Sequence, residues 1–171
     1  MIRLLLLRHA KAVPAAEAAT DASRPLAARG ERDARLMGER LRERQARPDL
    51  IVTSPAARTL RTAQIVAAAC NYARERIAVD ERLYLASPAE ILAVIAAFDP
   101  QQRSVLVVGH NPGLSELAGT LVLDLRDADL PTGGLIAFDV PNGDWTSLGA
   151  LPLRLAYRDS PQQAQPPLVP R

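Results

Sequence analysis

The sequence predicts an α/β domain built around a mostly parallel sheet, on three observations. Short apolar runs alternate with segments of helix length, the pattern of strands joined by helical crossovers. The first run, residues 2–7, is continuous rather than alternating, as in a strand covered on both faces. Three of the runs end in polar residues. In such sheets the carboxyl ends of the strands are where ligands bind.

The elements follow in order. After the first strand, residues 13–28 are Ala-rich with Pro14 and Pro25 and read as a loop with a helical turn. Residues 31–46 carry Leu36, Met37 and Leu41 among many charges, an amphipathic helix with a solvated face that Pro48 ends. Residues 50–53 are a second short strand. Ser54-Pro55 opens the next helix, with a capping serine and proline at the first helical position. That helix runs to about Tyr72, with Ile65, Val66 and Ala69 on its apolar face. Residues 77–79 form a minor strand, and Ser87-Pro88 repeats the helix start before residues 89–98. Residues 104–108 are a strand, and Asn111-Pro112-Gly113 leads into a helix to about Leu125. Residues 135–140 form a strand, 141–144 a turn, and 145–151 and 153–157 edge-type β structure. The expected domain is 1–158, followed by a proline-rich, poorly ordered tail over 159–171.

Composition narrows the function classes. A chain of 171 residues with 48% hydrophobic residues supports one domain with a full core. Lys+Arg is 21 against Asp+Glu 19, the signs are mixed along the chain, and aromatic residues are only 4%. That lacks the clustered basic, aromatic surface of a nucleic-acid binder. Cys70 is the single cysteine, so no internal disulfide or Cys-based zinc site is available. Cys70 and Arg76 match the Cys-x5-Arg spacing of cysteine-dependent phosphatases, but this cysteine ends a helix instead of opening an anion-binding loop. No leader-like segment and no long apolar run occur, so a cytoplasmic protein without a membrane partner is expected.

The strand ends gather a distinctive set. The first strand ends at Arg8-His9, the second at Thr53-Ser54 with Arg58 one turn on, and the later one at His110-Asn111. Both histidines of the chain and two arginines are thereby directed to one sheet edge. Arginine presents a planar, permanently charged fork to phosphate oxygens. A neutral imidazole in the correct tautomer is a competent nucleophile, and a second one can stabilise transferred charge. The helix after Pro112 would add backbone N–H groups at its N-terminus. A metal site is not expected, because arginines beside both histidines repel a cation.

Several stretches resemble a known family. "LLLRHAKA" resembles the Arg-His-Gly/Ala signature of the histidine phosphatase superfamily. "TSPAARTLRTA" is similar to its second motif, and "VVGHNPGLSEL" to the third, which carries the second histidine. "DASRPLAARG" and "LPTGGLIAF" are similar to the small SixA-type branch, the protein phosphohistidine phosphatases. Five such stretches along one chain form a specific signal. One departure is Arg61, where the family usually has Gln before Thr-Ala.

The resemblance implies a phosphoglycerate-mutase-like core without a large lid. It implies that His9 attacks phosphorus, that Arg8, Arg58 and His110 surround the phosphoryl oxygens, that Arg24 lies at the pocket rim, and that Asp21 orients a basic group. It implies no metal or organic cofactor, and competition by vanadate or tungstate. The implied partner is a phosphohistidine-bearing protein or a small phosphorylated substrate. Two other readings stay open: a small-molecule phosphomonoesterase on the same site, and a module that binds phosphohistidine without turnover. An acid donor over the phosphate would favour the first of these.

Overall fold

The computed structural model describes residues 1–141, 143–150 and 153–164. Six strands form one sheet in the order β3-β2-β4-β1-β5-β6. The strands are β1 Ile2–Arg8, β2 Leu50–Thr53, β3 Ala78–Val79, β4 Ser104–Gly109, β5 Leu135–Val140 and β6 Arg154–Asp159. The pairs β1–β4, β4–β2 and β2–β3 are parallel, and β5 runs antiparallel to both β1 and β6. The helices are α1 Ala28–Glu43, α2 Ala57–Ala69, α3 Pro88–Ala96 and α4 Gly113–Leu121. This is the mixed α/β fold the sequence predicts.

The continuous apolar strands are explained by two cores. In β1, Ile2, Leu4 and Leu6 face one core with Ile91, Val94, Leu114 and Leu117 of α3 and α4. Leu5 and Leu7 face the other, with Met37, Leu41, Ala63 and Val66 of α1 and α2. Alternate side chains of one strand thus enter opposite layers, and β4 does the same with Val105 and Val107 against Leu106 and Val108. Burial of this kind contributes roughly 25 cal/mol per Å² of apolar surface.

Several local expectations are corrected. Helix α1 starts at Ala28 and ends at Glu43, well before Pro48, because the chain leaves the helix at Gln45, whose φ is +56°. Helix α2 starts at Ala57, not at Ser54, and its first residues have no side-chain cap. At Ser87 the same dipeptide does cap, with a full capping box to Glu90. Trp145–Ser147 is a 3-10 turn rather than a strand, since the Asp144 side chain accepts from the Thr146 N–H. Leu151 of that expected strand and Asn142 of the expected turn lie outside the described residues. The expected boundary at 158 falls inside β6, and residues 160–163 are held by Arg40, which donates to the Ser160 and Gln163 carbonyls. Residues 165–171 of the expected tail lie outside the described residues. Among the described residues no helix is long and apolar enough to cross a membrane.

Candidate active site

His9 and His110 follow directly from the β1–β4 ladder. Arg8 pairs with Gly109, and the His9 N–H continues the ladder to the Gly109 carbonyl at 3.1 Å. The two rings stand edge to face with centroids 5.5 Å apart. Arg58 arrives from the first turn of α2, on the neighbouring strand β2.

Arg58 ties the centre together. Its Nε donates to His9 Nε2 at 3.3 Å, and its terminal nitrogens donate to the Asp21 carbonyl at 2.7 Å, Asp21 Oδ2 at 3.0 Å and His110 Nδ1 at 3.3 Å. A guanidinium only donates, so both imidazole nitrogens facing it are lone pairs. The other nitrogens therefore carry the protons. His9 Nδ1–H donates to the Ala10 carbonyl at 2.7 Å, and His110 Nε2–H donates to Ser54 Oγ at 2.8 Å.

Burial pushes the His9 imidazolium pKa down to about 4, against the opposing Ala10 hydrogen bond and reinforced by Arg58, Arg8 and Arg24. His110 is pushed down to about 3 by burial, then by Arg58 and His9. Both rings are neutral at neutral pH, and His9 holds its Nε2 lone pair toward the cleft. That is the protonation state a nucleophilic imidazole needs.

Two loops form the walls. One is folded back by pairing of Lys11–Val13 with residues 25–27: the Val13 N–H donates to the Pro25 carbonyl and the Ala27 N–H to the Lys11 carbonyl. Gly30 permits this return, because a Cβ there would lie 2.0 Å from the Lys11 carbonyl oxygen. This loop carries Asp21 and Arg24. Arg24 donates to the Val13 carbonyl at 3.0 Å and to Asp21 Oδ1 at 3.1 Å. The second wall is the segment before β5. Arg8 donates to the Leu130 carbonyl at 2.8 Å, Asn111 holds Asp129 and Leu130, and the Gly133 N–H returns to the Arg8 and His9 carbonyls. Arg8 Nε is buried without a hydrogen-bond partner, so an anionic acceptor beside it would relieve a real penalty.

Between these walls lies a cleft of about 290 Å³. Arg8, His9, Asp21, Arg24, Arg58 and His110, the six residues singled out in the sequence, all line it. Leu85, with a φ of +48°, places an apolar side chain at its mouth. Asp21 is the single carboxylate among the lining residues. It is held well below the usual carboxylate range, first by the Tyr84 hydroxyl, which donates to Oδ2 at 2.5 Å, then by Arg24 and Arg58. Among the described residues no group of three or more His, Cys, Asp and Glu is placed to hold a metal ion.

Other expectations move. At the α4 N-terminus the Leu114 N–H is taken by the His110 carbonyl and the Ser115 N–H by Asn111 Oδ1, so these two donors are spent within the fold. Gly113 there packs against the backbone, since a Cβ would meet the Ala86 carbonyl at 2.0 Å. Arg61 forms a two-point pair with Glu31 at 2.7 and 2.9 Å, beside a groove of about 560 Å³ between α1 and α2 that holds none of the six residues. Burial pushes the Cys70 thiol up to about 11, against a role as a thiolate. Ser54 and Tyr84 escaped the sequence reading. Ser54 resembled an ordinary helix cap, and Tyr84 lies in a turn with no motif around it.

The chain is similar to known proteins in both sequence and fold. The family model described as Histidine phosphatase superfamily (branch 1) matches residues 4–84. An uncharacterized protein of Mycobacterium tuberculosis is 33% identical over 154 residues, 83% of this chain and 91% of its own length. The crystal structure of the putative phosphohistidine phosphatase SixA from Agrobacterium tumefaciens is 31% identical, with a TM-score of 0.79 over 93% of this chain and 97% of that one. The putative SixA structure from Nakamurella multipartitia is also 31% identical, with a TM-score of 0.80 over 95% and 97% of the two chains.

Proposed function

The chain belongs to the histidine phosphatase superfamily, and from that membership we propose that it removes the phosphoryl group from phosphohistidine on a cytoplasmic signalling or phosphotransfer protein. The observation that carries the choice of substrate is the state of Asp21. An alkyl phosphate leaves as an alkoxide and needs an acid to protonate it. The one carboxylate lining the cleft is held ionised by three donors and has no proton to give. A phosphohistidine already protonated on its second ring nitrogen leaves as neutral imidazole and needs no such acid. The likeness to putative phosphohistidine phosphatases supports the same reading.

The chemistry runs in two steps. The His9 Nε2 lone pair forms a bond to phosphorus while the bond from phosphorus to the substrate nitrogen breaks, and that nitrogen keeps the electron pair. The His9 ring becomes a phosphorylated cation, whose Nδ1–H donates more strongly to the Ala10 carbonyl. Arg58, Arg8 and His110 surround the phosphoryl oxygens, and Arg58 exchanges its two imidazole acceptors for phosphoryl oxygens while it keeps Asp21. Water then attacks phosphorus, the bond to Nε2 breaks, and the water proton leaves with phosphate or to solvent.

The test is a single-turnover experiment with a histidine-phosphorylated protein, following label loss and phosphate release beside His9→Ala. Rapid loss with the wild type and none beyond the uncatalysed rate with the variant is expected. Hydrolysis of a small phosphoester with no effect on the phosphoprotein would move the protein to the phosphomonoesterase reading. Binding of the phosphoprotein without turnover of either substrate would make it a binding module.

A further inference from the structure

Asp21 stands at the mouth of a phosphate-binding cleft, where a negative charge needs explaining. A carboxylate this close to the phosphoryl position repels a dianionic phosphoester. The charge is kept, not tolerated by accident. Three separate donors come to it from different parts of the chain: Arg24 to Oδ1 at 3.1 Å, and Arg58 and Tyr84 to Oδ2 at 3.0 and 2.5 Å. A carboxylate offers about four acceptor positions, so one remains on this partly exposed group. The Thr20 and Ser23 side chains lock the turn that presents it, through reciprocal backbone bonds of 3.0 and 3.2 Å.

Tyr84 fixes the orientation from the opposite side. Its ring stands edge to face with His110, centroids 5.5 Å apart and planes at 87°, while its hydroxyl reaches Asp21. Tyr84 thus couples the mouth of the cleft to the ring beside the phosphoryl position. Nothing in the comparisons gives it a task.

We propose that Asp21, positioned by Tyr84, is the specificity-determining acceptor for the N–H of the departing imidazole ring. The inference rests on the phosphohistidine reading above and deepens it. A phosphohistidine protonated on its second nitrogen carries a positive ring beside the phosphoryl group, with one N–H pointing away from phosphorus. That N–H satisfies the remaining acceptor position of Asp21 and offsets its charge. It also holds the proton on the ring so that the group departs neutral. A phosphoester brings the negative phosphoryl group without the compensating N–H, and meets only repulsion from Asp21. A site that hydrogen-bonds one substrate group discriminates strongly against the analogue that lacks it.

The experiment compares kcat/KM of wild type, Asp21→Asn and Tyr84→Phe for two substrates, a histidine-phosphorylated protein and p-nitrophenyl phosphate. Asp21→Asn should lower kcat/KM for the phosphoprotein by about tenfold or more while raising it for the aryl phosphate, so that the ratio of the two collapses. Inorganic phosphate should also inhibit that variant more strongly. Tyr84→Phe keeps the ring against His110 and removes one hydroxyl, and should move the ratio in the same direction by a smaller factor. A wild type that turns over the phosphoprotein, with variants in which both activities fall together, would overturn this inference alone and leave Asp21 a scaffold for Arg58. A wild type inactive on the phosphoprotein would overturn the phosphohistidine reading and this inference with it.

Discussion

Arg58 and Arg40 are buried to a similar degree, with side chains 3% and 8% exposed, and each is paired with an aspartate. Their partners differ. Arg40 meets Asp159, which is fully buried, at 2.7 Å, and its terminal nitrogens also donate to the Ser160 and Gln163 carbonyls. Arg58 meets Asp21, which is 42% exposed, and spends its other donors on two imidazole lone pairs and the Asp21 carbonyl. The first set of acceptors lies at the end of β6 and just beyond it, so that pair closes the chain behind β6. The second set faces a cleft, and on the proposed mechanism its imidazole lone pairs give way to phosphoryl oxygens. Burial of an arginine therefore does not separate structure from chemistry in this protein; the nature and exposure of its acceptors do.

Substitutions at the two arginines should separate cleanly. Arg58→Lys keeps a charge but loses the fork that reaches four acceptors, and should reduce single-turnover rates by roughly a thousandfold with little change in Tm. A variant retaining a tenth of the rate would reduce Arg58 to a general positive charge. Arg40→Ala should do the reverse, costing about 3 kcal/mol in urea unfolding while folded enzyme keeps its turnover. Arg44, 3.4 Å from Asp159 Oδ2, limits that loss by leaving the carboxylate one cation. Loss of activity without loss of stability in Arg40→Ala would erase the contrast.

Lowering the pH acts on the cleft side of the comparison. His9 and His110 have folded pKa values near 4 and 3, below the ordinary 6.5. As pH falls, the unfolded chain takes up these protons first. The stability from keeping them neutral is therefore present in full above about pH 6.5 and is lost as pH falls toward 4. For His9 this is worth about 3 kcal/mol. Urea midpoints between pH 7 and 4.5 should show the loss, and NMR titration of the two imidazoles should find both neutral at pH 5.5. A ring that charges near 6.5 would break the electrostatic account of the site.

The smallest effect is expected at Ser54. Ser54→Ala removes the acceptor for His110 Nε2–H and frees that ring to change tautomer. A loss of about tenfold in kcat/KM is expected, consistent with one buried hydrogen bond, measured with Tm recorded beside it. An unchanged rate would show that Arg58 alone fixes His110.

The same contrast explains what was legible in the sequence. His9, His110 and Arg58 could be read because they follow apolar runs whose double-sided burial is written in consecutive leucines and valines. Asp21 and Arg24 were visible through their motif, while their distances to Arg58 and Val13 were not. Ser54 was misread because Ser-Pro is the same local device at residues 54 and 87, and only the histidine across the sheet diverts one of them. Tyr84 was invisible because its contact with Asp21 spans 63 positions and leaves no periodic trace. The end of α1 was displaced by the left-handed Gln45, a residue type without a strong signal for that conformation. Local chemistry was readable, and side chains meeting across layers were not.

The continuation of the β1–β4 ladder into His9 has a further consequence, for descent. The spacing of the two histidines is set by a pair of ladder neighbours, Arg8 beside Gly109, in the middle of the sheet. The loops bearing Asp21, Arg24, Tyr84 and Leu85 join that frame only at its margin. A lineage can lengthen, shorten or exchange those loops, and so change what is brought to His9, without moving one imidazole relative to the other. Single-residue insertions in β1 or β4 have no such freedom. Each would turn its histidine to the opposite face, and they should be the rarest events in the history of this domain.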